Sequence, residues 1–409
     1  MRKDTQIMNV GRLTVLLLGL ACAAGARAGG VEGYTGNSPQ SVAAADFNGD
    51  GMPDLAVVNF NDDNVAVLLN TTASGSTTLG LAAEQSFATG LRPISVVAAD
   101  VNGDGKPDLI VANCGDDTVS VLINTTVAGD STVSFTSAQT FATGATPIFV
   151  AAADLNGDGL VDVIAVNTNS TTVSVLLNTT ANGSLTAAFD ADQEFATGNL
   201  PQSVVVADIN GDGLPDLAIA NYLDNTVSVL VNNTANGSAI ANFADQQVFS
   251  AGNSPQSVAA GDINGDGLPD LVVVGASDNT VGVLFNTTMA SSGTVGFASQ
   301  QTFTAASYSQ SVVIRDVNGD GLPDVIVEDE NSNTVAVLAN TTSTGSATAS
   351  FTAEQDFHYG TDGWGFSVAV ADMNGDGLPE LIAVNTPDGS VSVLLNATAP
   401  GDTSLSFLP

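Results

Sequence analysis

The sequence predicts an all-β fold, a seven-bladed β-propeller with four antiparallel strands in each blade. Three observations support this prediction: a nine-residue acidic motif occurs seven times, its spacing is nearly constant, and each repeat holds four short apolar runs. Repeats of this regularity determine the fold before any local assignment is made.

The spacing of the motif sets the length of one blade. The first copy, "DFNGDGMPD", starts at Asp46, and further copies start at 100, 154, 208, 262 and 316, which is a constant step of 54 residues. The seventh copy starts at 372, after a step of 56. Around each copy the same runs recur, in the first repeat "SVAAAD", "DLAVVN", "VAVLLNTT" and "AEQSFATG", and turn residues bound each run. Prolines after the motif and the many β-branched residues favour strands over helices, and so predict four strands per repeat.

Continuously apolar strands imply a sheet that is buried on both faces. A radial stack of seven sheets meets this need because each blade covers its neighbours and few edges stay exposed. An open β-solenoid or a pair of sandwiches is the alternative, which the constant repeat length disfavours. The last repeat stops at "SLSFLP" without a "QxFxTG" segment, whereas "VEGYTGNSPQSV" near the start resembles that missing tail. We therefore expect the N-terminal segment to supply the outer strand of the last blade.

Residues 1–28 are predicted to be an export signal, followed by one propeller over 29–409. Arg2, Lys3 and Arg12 precede the apolar run "LTVLLLGLACAAG", which is followed by "ARA" before Gly29. A lipoprotein anchored at Cys22 ranks second. The predicted location is secreted, periplasmic or at the cell surface, and no later stretch has the ~20 apolar residues of a membrane span. Cys114 alone remains after cleavage, so no intramolecular disulfide can form.

The composition is strongly acidic, with 43 Asp and Glu against 7 Lys and Arg and a net charge of −36. This charge excludes nucleic acid as a partner. Only Arg92, Lys106 and Arg315 lie beyond the predicted signal. The chain is nevertheless 44% hydrophobic and its acidic residues are clustered, which favours a packed core over disorder.

The pattern D-x-N-x-D-G-x-x-D is typical of a calcium loop. Positions 1, 3, 5 and 9 present side-chain oxygens, position 7 presents a backbone carbonyl, and the glycine at position 6 permits a sharp turn. It is not an EF-hand, because position 12 is apolar (Val57, Val111) and a strand follows. Two carboxylates ~5 Å apart repel by roughly 3 kcal/mol at an effective dielectric near 20. The loops therefore predict up to seven Ca²⁺ ions, one per blade; the alternative is an acidic turn without metal, which seven copies in register disfavour.

The predicted calcium ligands are positions 1, 3, 5, 7 and 9 of every loop. In the first four blades they are Asp46, Asn48, Asp50, Met52, Asp54; Asp100, Asn102, Asp104, Lys106, Asp108; Asp154, Asn156, Asp158, Leu160, Asp162; and Asp208, Asn210, Asp212, Leu214, Asp216. In the last three they are Asp262, Asn264, Asp266, Leu268, Asp270; Asp316, Asn318, Asp320, Leu322, Asp324; and Asp372, Asn374, Asp376, Leu378, Glu380.

The pairing of "FATGxxPxSVxxAD" with "DxNGDGxPDLxVxN" resembles the FG-GAP/VCBS repeat family, over essentially all of the mature chain. Relatives of that family include the integrin alpha-chain propeller and many secreted bacterial proteins. The resemblance implies calcium in the loop between the first and second strands of each blade, and a binding or adhesive role. Val161 in place of proline and Glu380 in place of aspartate depart from the family pattern.

One region breaks the repeat and is a candidate ligand site. Alternate turns of a blade lie on opposite faces, and the aromatic residues Tyr34, Tyr222 and Trp364 fall on the face away from the calcium loops. The candidate ligand-binding residues are Tyr308, Glu328, Asp329, Glu330, His358, Tyr359 and Trp364. The alternative is that Trp364 only fills space in the closing blade.

The sequence thus favours an exported, calcium-stabilised module that binds an extracellular glycan or protein. A calcium-dependent polysaccharide lyase and a purely structural matrix element are the alternatives. We expect no enzyme activity, because only the neighbourhood of His358 and Tyr359 could supply a base. "NTT" and its variants match glycosylation acceptors, but their recurrence at one strand end predicts a role in the turn.

Overall fold

In a computed structural model of the chain, the described residues are 30–277, 279–305, 308–330, 332–360 and 365–409. They form an all-β structure of seven four-stranded blades, which confirms the predicted fold class. The predicted signal segment 1–28 and Trp364 lie outside the described residues. Among the described residues, no helix is long and apolar enough to cross a membrane.

Twenty-nine strands are numbered in chain order, and β1 spans Val31–Tyr34. The first three blades contain β2 Pro39–Ala45, β3 Asp54–Asn59, β4 Asn64–Leu68, β5 Gln85–Ala88; β6 Pro93–Ala99, β7 Asp108–Asn113, β8 Thr118–Leu122, β9 Gln139–Ala142; β10 Pro147–Ala153, β11 Asp162–Asn167, β12 Thr172–Leu176, β13 Gln193–Ala196. The next three contain β14 Pro201–Ala207, β15 Asp216–Asn221, β16 Thr226–Leu230, β17 Gln247–Ser250; β18 Pro255–Gly261, β19 Asp270–Gly275, β20 Thr280–Leu284, β21 Gln301–Thr304; β22 Val312–Arg315, β23 Asp324–Asp329, β24 Thr334–Leu338, β25 Gln355–His358. The last blade contains β26 Val368–Ala371, β27 Glu380–Asn385 and β28 Ser390–Asn396, and the short β29 is Phe407–Leu408.

The last blade is closed by the start of the chain. Its sheet has the order β1-β28-β27-β26, and β1 pairs antiparallel to β28 with Val31 opposite Val393. The prediction that the N-terminal segment supplies the outer strand of this blade is therefore confirmed. Because the first and last repeats share one sheet, the ring is held shut by backbone hydrogen bonds without a disulfide.

The hydrophobic core lies between blades. The second strand of every blade is buried along its whole length, as in β3, whose sequence DLAVVN is Val- and Leu-rich. Each core cluster combines two neighbouring blades: Phe47 and Val58 of the first pack with Val96 and Leu109 of the second. This is why the strands are apolar on both faces, as predicted.

Aromatic pairs fasten the outer edges of the blades. Phe141 and Phe189 meet edge to face with ring centroids 4.9 Å apart, and similar pairs recur from the first blade to the last. At the closing junction Gly33 and Leu81 occupy the corresponding positions, and a Cβ on Gly33 would meet Leu68 Cδ2 at 2.5 Å. The closing junction thus packs differently from the other six.

The two ends of the propeller are named here by their loops. The loop face carries the acidic loops, 46–54 and its six copies, and the turns that follow each third strand. The crossover face carries the turns between second and third strands, 60–63 and its copies, and the connections to each next blade, 89–92 and its copies. Antiparallel pairing of adjacent strands places these sets at opposite ends.

Candidate functional site

The acidic loop gathers side-chain oxygens around one turn. In the first loop, Asp46 Oδ1 and Asn48 Oδ1 both accept from the Asp50 amide, each at 3.1 Å. Asp46 Oδ2 accepts from the Gly51 amide at 2.8 Å, and Asp50 Oδ1 accepts from the Met52 amide at 2.9 Å. Gly49 and Gly51 are in the left-handed region, with φ of 67° and 93°. The sequence D-x-N-G-D-G therefore folds back on itself and directs three side chains to one place.

The ninth position of the loop is a buried carboxylate. Asp54 is fully buried, and its Oδ2 and Oδ1 accept from the amides of Phe47 at 2.9 Å and Asn70 at 2.7 Å. Burial raises the pKa of Asp54 to about 7, and the nearby charges of Asp50 and Asp46 add to the rise. This carboxylate ties the loop to the end of the third strand and brings negative charge into the interior.

The same arrangement occurs in all seven blades. Burial raises the pKa of the ninth-position acid to about 7 or about 6 in every copy. Glu380 keeps both bonds of the aspartate that it replaces, at 2.6 Å from the Met373 amide and 3.4 Å from the Asn396 amide. Val161 also preserves its contact, because Asn178 binds its backbone carbonyl at 2.9 Å.

The third-position asparagine joins each loop to the next blade. Asn48 O accepts from the Gly129 amide at 2.6 Å, and Asn48 Nδ2 donates to Asp130 O at 3.3 Å. In the next blade Asn102 makes the equivalent bonds to Gly183 and Ser184, at 2.7 and 3.0 Å. The side-chain bond to the next blade recurs in five of the loops, and in all seven the Asn Nδ2 also donates to the aspartate at the fifth position. An aspartate at the third position could donate neither bond, which explains why Asn stands there. Sequence reasoning assigned it only as a ligand; the sevenfold choice of Asn over the stronger ligand Asp was the available signal.

The asparagine of each "NTT" run is a second inter-blade link. Asn124 Nδ2 donates to Phe47 O of the preceding blade at 2.9 Å and to Pro107 O at 3.0 Å. Asn70 Nδ2 makes the bond that closes the ring, to Met373 O at 2.8 Å. Asn124 is fully buried, and its Oδ1 accepts from the Thr126 amide at 2.9 Å. These side chains serve the turn and the interface, in the way that their recurrence indicated.

The donor set of each loop fits a hard cation. Every donor is an oxygen, from a half-buried carboxylate, an exposed carboxylate, an amide, a buried carboxylate and a backbone carbonyl, which is the ligand class that Ca²⁺ prefers. Beyond residue 28, the sequence supplies only three basic side chains for seven such loops, Arg92, Lys106 and Arg315. Lys106 Nζ itself donates to Thr126 O at 2.8 Å. Within the described ranges, no three His, Cys, Asp or Glu side chains are arranged as a metal-binding group.

The candidate ligand residues of the sixth and seventh blades divide into buried and exposed groups. Glu328 and Tyr359 are buried, and the Tyr359 hydroxyl donates to Glu328 Oε1 at 2.8 Å. Burial raises the pKa of Glu328 to about 9 and raises that of Tyr359 further above its usual range. The other repeats have Val or Ala where Glu328 stands. Glu328 Oε2 is buried without a hydrogen-bond partner among the described residues.

The remaining candidates lie nearer the surface, except Asp329. Asp329 is buried, Tyr308 is 52% exposed with a left-handed φ of 60°, and His358 is exposed. Glu330 Oε2 accepts from Gln310 Nε2. The structure therefore places Tyr359 with Glu328 and Gln310 with Glu330, whereas Trp364 lies outside the described residues. Sequence reasoning missed Gln310, whose counterparts at the start of other inner strands are Gln, Ile or Phe.

Comparison with known proteins identifies the repeat. A family model described as an FG-GAP-like repeat matches residues 46–111, 100–165, 154–219, 208–273, 266–327 and 316–383. The comparison with curated proteins finds no match.

Solved structures share the fold at low identity. BBS1N in complex with ARL6DN, soaked with lead, is 12% identical with a TM-score of 0.58, over 91% of this chain and 98% of that one. A catalytically inactive virginiamycin B lyase from Staphylococcus aureus, with quinupristin, is 9% identical with a TM-score of 0.51, over 88% and 94%. An Agrocybe aegerita lectin that recognises non-reducing terminal N-acetylglucosamine is 16% identical with a TM-score of 0.50, over 90% and 85%.

Proposed function

The chain belongs to the FG-GAP-like repeat family, and from this premise we propose that it is an exported β-propeller in which structural calcium supports a ligand-binding or adhesive face. The observation that carries the proposal is the sevenfold loop, in which a fully buried carboxylate lies close to two others. Export is supported by the leader-like residues 1–28, in which basic residues precede an apolar run.

Calcium would be held by positions 1, 3, 5, 7 and 9 of each loop, in the first blade Asp46, Asn48, Asp50, the carbonyl of Met52 and Asp54. The ion would supply positive charge where the chain supplies almost none. Since Asn48 also binds the next blade, order in the loop is linked to order at the blade interface. We therefore propose a structural role for the metal, with no step of a reaction assigned to it.

The calcium proposal is tested by measuring bound metal. Elemental analysis of protein dialysed against calcium should find several ions per chain, up to seven. Asp212→Asn, in the fourth loop, should lower that number by one, whereas the control Asp245→Asn, an exposed acid outside the loops, should leave it unchanged. Protein that holds no calcium after dialysis against millimolar CaCl₂ would exclude this proposal.

The binding role is supported by the contrast between a uniform loop face and a varied crossover face. The structurally similar proteins include one bound to a protein partner and one that recognises a sugar, although their likeness to this chain is one of fold. A glycan array probed with and without calcium tests the role, and calcium-dependent binding to at least one glycan is expected. Absence of binding to the array would favour the structural matrix alternative.

A further inference from the structure

A cavity of about 140 Å³ lies on the propeller axis at the crossover face. It is lined by the second and third residues of the inner strands, so it lies at the opposite end of these strands from the acidic loops. An engineered cavity of about 150 Å³ holds one benzene molecule. The axial cavity therefore has room for one six-membered ring.

The two sides of the cavity differ in chemistry. Gln202, Gln256 and Gln310 come from three consecutive blades, the fourth to the sixth, and form a polar arc. Ile94, Ile148 and Phe149 come from the second and third blades and form an apolar arc across the axis. Gln40 and Phe366 lie between the arcs. Among the described residues, the lining contains no charged side chain.

Hydrogen bonds to the rim hold two of the three amide groups of the polar arc, those of Gln202 and Gln310. Gln202 Nε2 donates to Leu200 O at 3.2 Å, and Gln310 Nε2 donates to Glu330 Oε2. In both side chains the amide nitrogen donates the hydrogen bond. Among the described residues no group donates to the amide oxygen Oε1, which can therefore accept a bond from a ligand. Oriented amides offer both donors and acceptors to hydroxyl groups, which also do both.

In the apolar arc, the third blade replaces a serine of the repeat with an aromatic residue. At the third position of the inner strand, Ser95 Oγ accepts from the Val150 amide at 3.2 Å and Ser203 Oγ accepts from the Val258 amide at 3.0 Å, so these serines link each blade to the next. Phe149 stands at this position in the third blade and gives up that link. The Phe149 ring packs against the core cluster between the third and fourth blades, but it is only half-buried and also lines the cavity, so part of the ring is available to a ligand.

We propose that the axial cavity binds a neutral, hydroxyl-rich six-membered ring, the terminal monosaccharide of a glycan. The proposal rests on the ligand-binding function proposed above and places it at one site. The uncharged lining and the net charge of −36 disfavour an anionic sugar. The apolar arc would take the C–H face of the ring, and the glutamines would take its hydroxyl groups.

Saturation-transfer NMR on the calcium-loaded protein tests the site, with methyl glycosides of glucose, galactose, mannose and N-acetylglucosamine, and glucuronate as the anionic comparator. Phe149→Ser and Ile148→Gln each install the residue that the fourth blade carries at that position. Both should weaken the wild-type signal by about tenfold, the loss expected for one aromatic or apolar ring contact. The control Leu223→Gln, a 59% exposed side chain on the same face, should bind like the wild type.

Three results would overturn the site: no transfer from any neutral glycoside, transfer from glucuronate as strong as from the neutral sugars, or unchanged binding by both pocket variants with wild-type melting curves. The glycan array separates this failure from that of the proposed function. If the wild type binds the array in a calcium-dependent way and Phe149→Ser and Ile148→Gln bind equally well, the proposed function is retained but the ligand site is not the axial cavity. If neither the array nor the NMR experiment detects binding, the proposed glycan-binding function is excluded as well.

Discussion

The loop face and the crossover face solve the same problem of left-handed backbone in different ways. On the loop face, the acidic loops place glycine at their left-handed positions, such as Gly49 and Gly51. On the crossover face, left-handed positions are filled by Arg92, Leu200 and Tyr308, where a side chain costs energy. The acidic loops of the loop face thus repeat one unstrained backbone turn, whereas the crossover face tolerates strained backbone and varied side chains.

The hydrogen bonds show the same contrast. The asparagine link from each third strand to the preceding blade is 2.8 or 2.9 Å long in all seven blades. On the crossover face, Glu328 and Tyr359 form a buried pair where the first repeat has Val58 and Thr89. A scaffold that is held at one end is free to vary at the other, and specificity is expected where variation is tolerated.

The largest expected effect is that of removing calcium, which should disrupt the loop face as a whole. At ten times Kd, each site contributes about 1.4 kcal/mol by mass action, so seven sites contribute about 10 kcal/mol. The unfolding entropy of a chain of this size converts this into a fall in Tm of about 10 °C after EDTA treatment. Calorimetry with and without millimolar CaCl₂ measures the shift, and superimposable curves would mean that the loops are folded without metal.

The next effect concerns one asparagine link. Asn124→Ala removes two donated hydrogen bonds and leaves the buried carbonyl of Phe47 and the half-buried carbonyl of Pro107 without this donor, at a cost of about 3 kcal/mol. We expect Tm to fall by about 3 °C with calcium present. Val127→Ala, in the same turn but 66% exposed, is the control and should change Tm by less than about 1 °C. Equal shifts in the two variants would show that the link contributes nothing.

The sequence predicted the architecture of the propeller but not the side-chain bonds between its blades. The number of blades, the strands and the closure of the ring followed from the period of the motif, because a residue type that recurs at the same position in seven copies is one that the fold requires there. The inter-blade bonds of Asn48 and Asn124 did not follow, since each joins a side-chain amide to a backbone carbonyl about 80 residues away, and a backbone acceptor leaves no complementary residue to recognise in the sequence. The pairing of Glu328 with Tyr359 also could not be derived, because each departs from the repeat only once and burial depends on the packed blades.

The crossover face should show its own dependence on pH through Glu328. Its folded pKa of about 9 exceeds the ordinary value of 4.5, so its contribution to stability is complete below about pH 4.5 and declines as the pH rises towards 9. Glu328→Gln removes this titration and keeps an acceptor for the Tyr359 hydroxyl. The variant should melt about 4 °C above the wild type at pH 7.5, since three pH units at ~1.4 kcal/mol each amount to about 4 kcal/mol, and at nearly the same temperature as the wild type near pH 4.5. A difference in Tm that does not depend on pH would contradict the assignment.

The smallest effect tests whether strain on the crossover face is real. Thr171 is β-branched at a φ of 57°, where the equivalent residues are Asp117 and Asn225, which tolerate this region better. Asn225 Oδ1 also accepts from the Ser254 amide at 2.8 Å, whereas Thr171 Oγ1 donates to the adjacent carbonyl of Ser170 at 2.6 Å. Thr171→Asn should therefore relieve strain and allow the bond to the Leu200 amide, raising the free energy of unfolding by about 1 to 2 kcal/mol and Tm by about 1 to 2 °C.

The reverse change, Asn225→Thr, is the matched control and should lower Tm by a similar amount. Urea melts at fixed calcium resolve differences of this size through the midpoint, provided that the slope is unchanged. If Thr171→Asn lowered the midpoint, the third blade would have adapted its turn to threonine. The tolerance of the crossover face would then reflect compensation within each blade, and strain would not be stored there.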